Sequence, residues 1–322
     1  MQDYVVAMSL KTSDAVRDFA GASSATRALL RDLIDYAGLF PPAALPMASS
    51  VSNYEEYLRS EWNWILGRFI VPVARLGEFE EAFAGLPRST GTNLAKWRLS
   101  ALLGADPSAD VERIRQFNDR CGSSSCGRKA VVESVEVKVA SAEEIARLSR
   151  IIPPDVATYF EIQLSDSAEG IAAVAGCGRR AKIRTGGDTA DKFPASASVI
   201  DFIRRCANAN VPFKATAGLH HPLRSVRRLT DQDDIPSGIM HGFINLFLAA
   251  AFLRAGMESD IAVQLMEEKS EGTFRFDLDG VAWRQHRLTP DEIAEARRGF
   301  AISFGSCSFT EPIDFLRSLH LL

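Results

Sequence analysis

Residues 130–139 read Ala-Val-Val-Glu-Ser-Val-Glu-Val-Lys-Val, and this stretch decides the fold. Its valines favour an extended chain, because a β-branched side chain packs well on a pleated surface. Successive side chains of a strand point to opposite faces, so Glu136 and Lys138 share one face. A strand covered on both sides by helices should read as nearly continuous Val, Ile and Leu. Charges within it are costly unless they are paired or functional.

The same spacing recurs on both sides of this stretch. Short apolar runs at 33–37, 68–73, 97–103, 157–164, 181–184, 212–217 and 300–304 fit further strands. Helical patterns fall between them, at 54–66, 78–84, 109–120, 142–151, 167–175, 197–209, 240–255 and 311–319. The first run follows a helical segment near 26–34 and ends before Pro41-Pro42, which a helix cannot enter. Eight strands, each followed by a helix, predict an α/β fold of the (β/α)8 or TIM-barrel type. The predicted layout is an N-terminal extension at 1–25 and a single barrel domain at 26–322. Residues 272–287 alternate in polarity around Asp279-Gly280 and predict a β-hairpin inserted before the last barrel strand. An open doubly wound sheet is the runner-up. It lacks its usual support, because no Gly-x-Gly-x-x-Gly follows an early strand.

Composition narrows the functional class. The chain has 322 residues, 46% of them hydrophobic and 24% charged, as in ordinary globular proteins. Lys plus Arg is 37 against 41 for Asp plus Glu, a net charge of −4. No basic stripe stands out, so a nucleic-acid partner is not expected. Arg224, Arg227 and Arg228 run into Asp231, Asp233 and Asp234 and read as a solvated loop of mixed charge. Five cysteines in a chain of this length do not suggest a disulfide framework. Cys121 and Cys126 have no second Cys or His pair nearby to complete a zinc site. Residues 1–10 lack a signal-peptide pattern, and the most apolar stretch, 243–253, is too short to span a bilayer. A cytoplasmic protein with no membrane partner is expected. The stretch 243–253 suits either core packing or a homo-oligomer interface.

The candidate site follows from the strand charges. Glu136 and Lys138, Glu161 and Gln163, Lys182 and Arg184, and Lys214 and Thr216 each share a strand face, and Arg98 and Ser100 extend the set. If those faces line the barrel interior, carboxylates and cations converge near the C-terminal strand ends, where barrel active sites lie. A lysine there, with other cations close by, should have a lowered pKa and supply a neutral amine. Lys214 is the first choice for nucleophile or base and Lys182 the second. Glu136 and Glu161 would orient them. His220 and His221, past the seventh strand, are candidate acid/base groups. Arg184, the Gly186-Gly187 turn, Lys138, Thr216 and Ser306 are candidate binders of a small anionic substrate. The polar link 219–239 has the length of a lid. Asp35 is expected in the first rim loop.

A strand lysine at the catalytic end of a barrel is similar in type to the class I aldolases. The likeness covers the architecture and one residue type and points to no specific family. It implies aldolase or lyase chemistry on a carbonyl-containing metabolite, with no cofactor required. Two alternatives stand beside it. Glu136, Glu161 and a rim histidine could hold a divalent metal for a lyase or hydrolase. A non-catalytic ligand-binding barrel would instead have its strand charges paired with one another.

Overall fold

The computed structural model describes residues 22–87, 96–122, 128–187, 189, 192–228 and 237–322. The chain begins with helix α1 (Ser24–Leu30), strand β1 (Ile34–Tyr36), α2 (Met47–Arg59), β2 (Leu66–Pro72) and α3 (Leu76–Ala84). It continues through β3 (Trp97–Leu102), α4 (Pro107–Gly122), β4 (Ala130–Lys138), α5 (Ala142–Ile151), β5 (Ala157–Glu161) and α6 (Ser167–Gly176). Then follow β6 (Arg180–Arg184), α7 (Ser196–Asn208), β7 (Phe213–Thr216), the hairpin β8 (Ser225–Arg228) and β9 (Ser237–Met240), α8 (Phe243–Arg254) and α9 (Ser259–Glu267). The last part comprises β10 (Phe274–Asp277), β11 (Gly280–Trp283), β12 (His286–Leu288), α10 (Pro290–Gly299), β13 (Ala301–Ser306) and α11 (Thr310–Ser318).

Strands β1 to β7 and β13 close into a parallel barrel in the order β1-β13-β7-β6-β5-β4-β3-β2. The expected (β/α)8 fold is therefore the observed one. Closure leaves no free edge, and each strand buries one face inside the cylinder and one against helices. The outer faces carry the apolar residues. Tyr36, Tyr54, Phe69, Phe79, Phe83 and Trp97 form one aromatic cluster between the first three strands and α2 and α3. Phe243 and Phe247 of α8 pack on Phe304 of β13.

Several boundaries differ from the sequence prediction, each for a local reason. The helix expected at 54–66 is α2, from Met47 to Arg59. The Ser60 hydroxyl caps the Tyr57 carbonyl where that helix ends, and strand pairing begins at Leu66. Helices α9 and α10 were not expected. For α10 the signal was present: Thr289-Pro290-Asp291-Glu292 forms a capping box with proline in the first turn. The predicted hairpin at 272–287 gains a third strand, because β12 pairs with β11. The link 219–239 contains the β8–β9 hairpin; its residues 229–236 lie outside the described residues. So do residues 1–21 of the expected extension, while Ser24 and Ala25 of that extension belong to α1. Cys126, Asp188, Asp231, Asp233 and Asp234 also lie outside them.

Two elements show how the shell is held. Helix α8 is buried from Phe243 to Phe252 and packs against α7, α9 and α10, so its apolar sequence serves the core and not a subunit interface. Arg297 of α10 is buried beneath Phe247. It donates to the carbonyls of Leu29 (2.8 Å), Arg31 (3.1 Å), Ile302 (2.6 Å) and Ala301. These carbonyls end α1 and open β13, so one guanidinium ties the first helix to the last barrel strand. Burial pulls its pKa down to about 9. Replacing Arg297 with Met strands these acceptors without a donor. A loss of about 3 kcal/mol in unfolding free energy is expected, read from the urea midpoint.

Candidate active site

The alternating residues of the barrel strands bring their charges into a chain inside the cylinder. Register sets the neighbours: Glu136 lies opposite Tyr159, Glu161 opposite Lys182, and Lys182 opposite Lys214. Lys214 Nζ donates to Asp35 Oδ2 and to Glu136 Oε1, each at 2.6 Å. Lys182 Nζ bridges Glu136 Oε2 at 2.8 Å and Glu161 Oε2 at 2.9 Å. Arg184 Nε reaches Glu161 Oε1 at 3.2 Å. The order is Asp35, Lys214, Glu136, Lys182, Glu161, Arg184, with the sign alternating at every step. Hydroxyls complete the acceptor sites. Ser303 donates to Asp35 and Ser100 to Glu136, both at 2.7 Å, and Ser134 donates to Ser100 at 2.9 Å.

Exposure grades along this chain. Asp35 and Lys214 are 0% and 1% exposed, and Glu136 is 2% exposed. The Lys182 side chain is 7% exposed, whereas that of Arg184 is 50% exposed. The chain therefore runs from a dry interior to a wet rim. Tyr159 closes it on the inner side, its ring centroid 5.5 Å from Lys214 Nζ and its hydroxyl accepting from Arg180 at 2.9 Å.

These pairings reverse one expectation. Burial alone would lower the Lys214 pKa, but the charges of Asp35 and Glu136 outweigh it, and the pKa is raised. Lys214 rests as an ammonium. Burial alone would raise the carboxyls; instead, Lys214 and Arg68 hold Asp35 below its ordinary value. Lys182 and Lys214 do the same for Glu136, and Lys182 and Arg184 for Glu161. The expected lowering rests on neighbouring cations; the carboxylates of Asp35 and Glu136, each 2.6 Å from Nζ, set the opposite sign.

Asp35 was expected in a rim loop and lies instead in β1. Its Oδ1 accepts the Arg68 backbone N–H at 2.6 Å. Gly67 makes this approach possible: a Cβ there would stand 2.3 Å from Asp35 Oδ1. The Gly67 carbonyl is itself held by the Tyr54 hydroxyl at 2.7 Å. The available signal for Asp35 was a carboxylate inside the apolar run Leu33-Ile34-Asp35-Tyr36. Tyr159 and the hydroxyls of Ser134 and Ser303 gave no comparable signal.

The other candidates divide. Lys138 is exposed at the end of β4, and Thr216 is half-buried one step beyond Lys214 on the same face. Ser306 accepts the Ser308 backbone N–H at 3.4 Å and so shapes the turn into α11. Gly186 has a structural reason to be glycine: a Cβ would meet Phe193 at 2.6 Å and the Gly218 Cα at 2.7 Å. A Cβ on Gly187 would meet Lys192 at 2.5 Å. His220 Nδ1 lies 3.5 Å from Glu311 Oε2, and the His221 ring packs edge-on to Phe315 at 4.4 Å. Both histidines thus face α11. Among the described residues, no three His, Cys, Asp or Glu side chains are grouped to hold a metal ion. Ala217 at this rim adopts the left-handed region, φ +62°, next to Gly218, where that region is free of strain, and the Thr185 hydroxyl holds the Ala217 carbonyl at 2.7 Å.

Fold and site together define a (β/α)8-barrel protein with a buried lysine–carboxylate chain opening at the C-terminal strand ends. No protein-family model and no curated protein matches this chain.

Three carboxyls with lowered pKa bind protons more readily unfolded, so their stabilisation is present above about pH 4 and is lost as pH falls further. Urea midpoints measured from pH 6 downward should drop in acid, and Glu136→Gln should flatten that drop. Lys214 works in the opposite sense: its contribution holds below about pH 10 and fades only at higher pH. Gly67→Ala should push Asp35 off the Arg68 N–H and cost about 2 kcal/mol, read from the thermal midpoint.

Proposed function

We propose that this chain is an enzyme acting on a small anionic carbonyl-containing metabolite, by aldolase- or lyase-type chemistry through an active-site lysine. One observation supports it above the others. Five ionisable side chains, Asp35, Lys214, Glu136, Lys182 and Glu161, occupy the interior of the barrel. Well-packed apolar residues in such a place are often as stable or more so, so stability alone gives little reason to keep the charges. Glu161 and its partner Arg184 end their strands at the C-terminal rim, where barrel active sites lie, and this favours chemistry.

Burial ranks the lysines. Both lysines lie between two carboxylates, but the Lys214 side chain is 1% exposed and acts as a fixed ammonium, whereas Lys182, 7% exposed and nearer the exposed Arg184, is the reacting amine. A substrate anion would draw Arg184 away from Glu161. Glu161 then loses one of the cations that depress its pKa, and its Oε2, 2.9 Å from Lys182 Nζ, is the carboxylate placed to take the proton of that amine. The neutral Nζ adds to the substrate carbonyl carbon. The carbonyl oxygen departs as water, its last proton coming from Glu161, and an iminium remains. The positive nitrogen accepts the electron pair released when the adjacent carbon loses a proton to Glu161, or when a C–C bond breaks and Glu161 takes the hydroxyl proton of the fragment that leaves as a carbonyl compound. The enamine so formed takes a proton back on carbon from Glu161, and water adds to the restored iminium and returns the carbonyl and the amine. The acid/base work falls to Glu161, since His220 faces Glu311 and His221 faces Phe315.

A second reading, a ligand-binding barrel without catalysis, draws on the mutual pairing of these same charges. Borohydride trapping separates the two. Incubation with a panel of 2-oxo acids and phosphorylated aldehydes, followed by reduction and peptide mass spectrometry, should mark Lys182. Lys182→Ala should abolish the adduct. Absence of any adduct on Lys182 or Lys214 across the panel would sink the lysine chemistry and leave the binding barrel.

A further inference from the structure

A cavity lies away from the lysine chain. Its volume is about 380 Å³, and its walls come from residues 221–225, residues 269–271 and the end of α11. None of its described lining residues belongs to the chain of ion pairs. Pro222, Leu223, Phe315 and Leu319 give it an apolar side. Arg224 and Lys269 give it a cationic one. The volume is within the range of small-molecule sites, about 300–1,000 Å³.

Arg224 was expected in a solvated loop, yet its side chain is only 13% exposed. Nη1 donates to Ser196 Oγ at 3.0 Å and to His241 Nδ1 at 3.2 Å. His241 Nε2 stands 2.8 Å from the Pro194 carbonyl, a contact that requires a proton on Nε2. Nδ1 therefore keeps its lone pair for Arg224. Burial and the Arg224 charge both lower the His241 pKa, so the ring stays neutral in this role. The guanidinium is held from behind.

The frame of the cavity is equally fixed. Asn245 is fully buried, accepts the Arg224 backbone N–H at 2.9 Å, and donates to the Leu265 and Glu268 carbonyls at 2.8 and 2.9 Å. One amide thus joins two walls. Gly242 leaves room for it, because a Cβ there would stand 2.1 Å from Asn245 Oδ1. Glu268 Oε1 accepts the backbone N–H groups of Lys269 and Ser270, each at 3.1 Å, and fixes the third edge. Ser225 Oγ is buried beside Arg224 with no hydrogen-bond partner among the described residues. Besides Glu268, whose Oε2 pairs with Arg284 at 3.1 Å, two carboxylates are near. Glu267 is 3.9 Å from Arg224 and half-exposed, where water weakens the pairing, and Glu271 is exposed.

We infer that this cavity is a second binding site, for a small ligand with a carboxylate or phosphate head and an apolar body. The head pairs with the Arg224 guanidinium, which suits planar, two-point contact. Lys269 adds charge at the entrance, and Ser225 supplies a hydroxyl. The apolar body lies against Phe315 and Leu319. This site is independent of the lysine chemistry proposed for the barrel mouth.

The test is calorimetric or NMR titration of the full chain with phenylacetate, phenyl phosphate, acetate and inorganic phosphate. One or both phenyl compounds should bind more tightly than the bare ions, and the preferred head identifies the anion. Arg224→Ala should weaken binding about tenfold or more, as expected for a lost charge-assisted contact. Lys182→Ala should leave it unchanged. Lys269→Gln, at an exposed position, should weaken it severalfold and keeps the test sound if Arg224→Ala fails to fold. No binding of any probe at millimolar concentration would overturn the site. So would binding that Lys182→Ala abolishes and the Arg224 and Lys269 variants spare.

Discussion

The Glu136 carboxylate holds two ammonium groups apart inside a cylinder that excludes water. Lys214 lies on one oxygen and Lys182 on the other, at 2.6 and 2.8 Å. Each of these charges would be costly alone, since an unpaired ion in a dry interior loses its hydration and gains nothing in return. Together they are compatible with a closed barrel. Asp35 and Glu161 occupy the outer sides of the two lysines, so every ion in the series has a partner of opposite sign. Removal of any inner member would leave a neighbour uncompensated.

This constraint reaches into the backbone. Asp35 can accept a main-chain N–H only because Gly67 carries no side chain, and Gly67 is positioned by Tyr54 from the aromatic cluster outside the barrel. The packing of helix α2 on the first strands is thereby connected to the electrostatics within. At the other end, Arg184 carries the chain into solvent, where the proposed anionic substrate would meet it first. A charge arriving there changes the balance on Glu161, and through Glu161 on Lys182. The interior pairing and the proposed reactivity are two consequences of the same geometry. The cavity beside Arg224 follows a different design. There a neutral histidine and a buried asparagine position one cation against an apolar wall.

Much of the fold was legible in the residues themselves. Alternating apolar runs marked the eight barrel strands, and Glu136, Glu161, Lys182 and Lys214 stood out as charges where apolar side chains were expected. What escaped was whatever depends on neighbours distant in sequence. Asp35 and Lys214 are 179 positions apart, and no spacing rule joins them. The raised pKa of Lys214 was therefore expected with the opposite sign. Arg224 looked solvated because charged residues surround it in sequence, while in space Ser196 and His241 enclose it.

The sequence alone determined the alternation of strand and helix, the faces on which charges recur, and hence a barrel with ionised groups in its wall. Local pattern suffices for this, because periodicity is a property of one segment at a time. Tertiary structure decided which charge meets which, and so which lysine is sealed and which lies near the rim. Those outcomes depend on strand register and barrel closure, and Coulomb interactions act on distance through space, with no regard for separation along the chain.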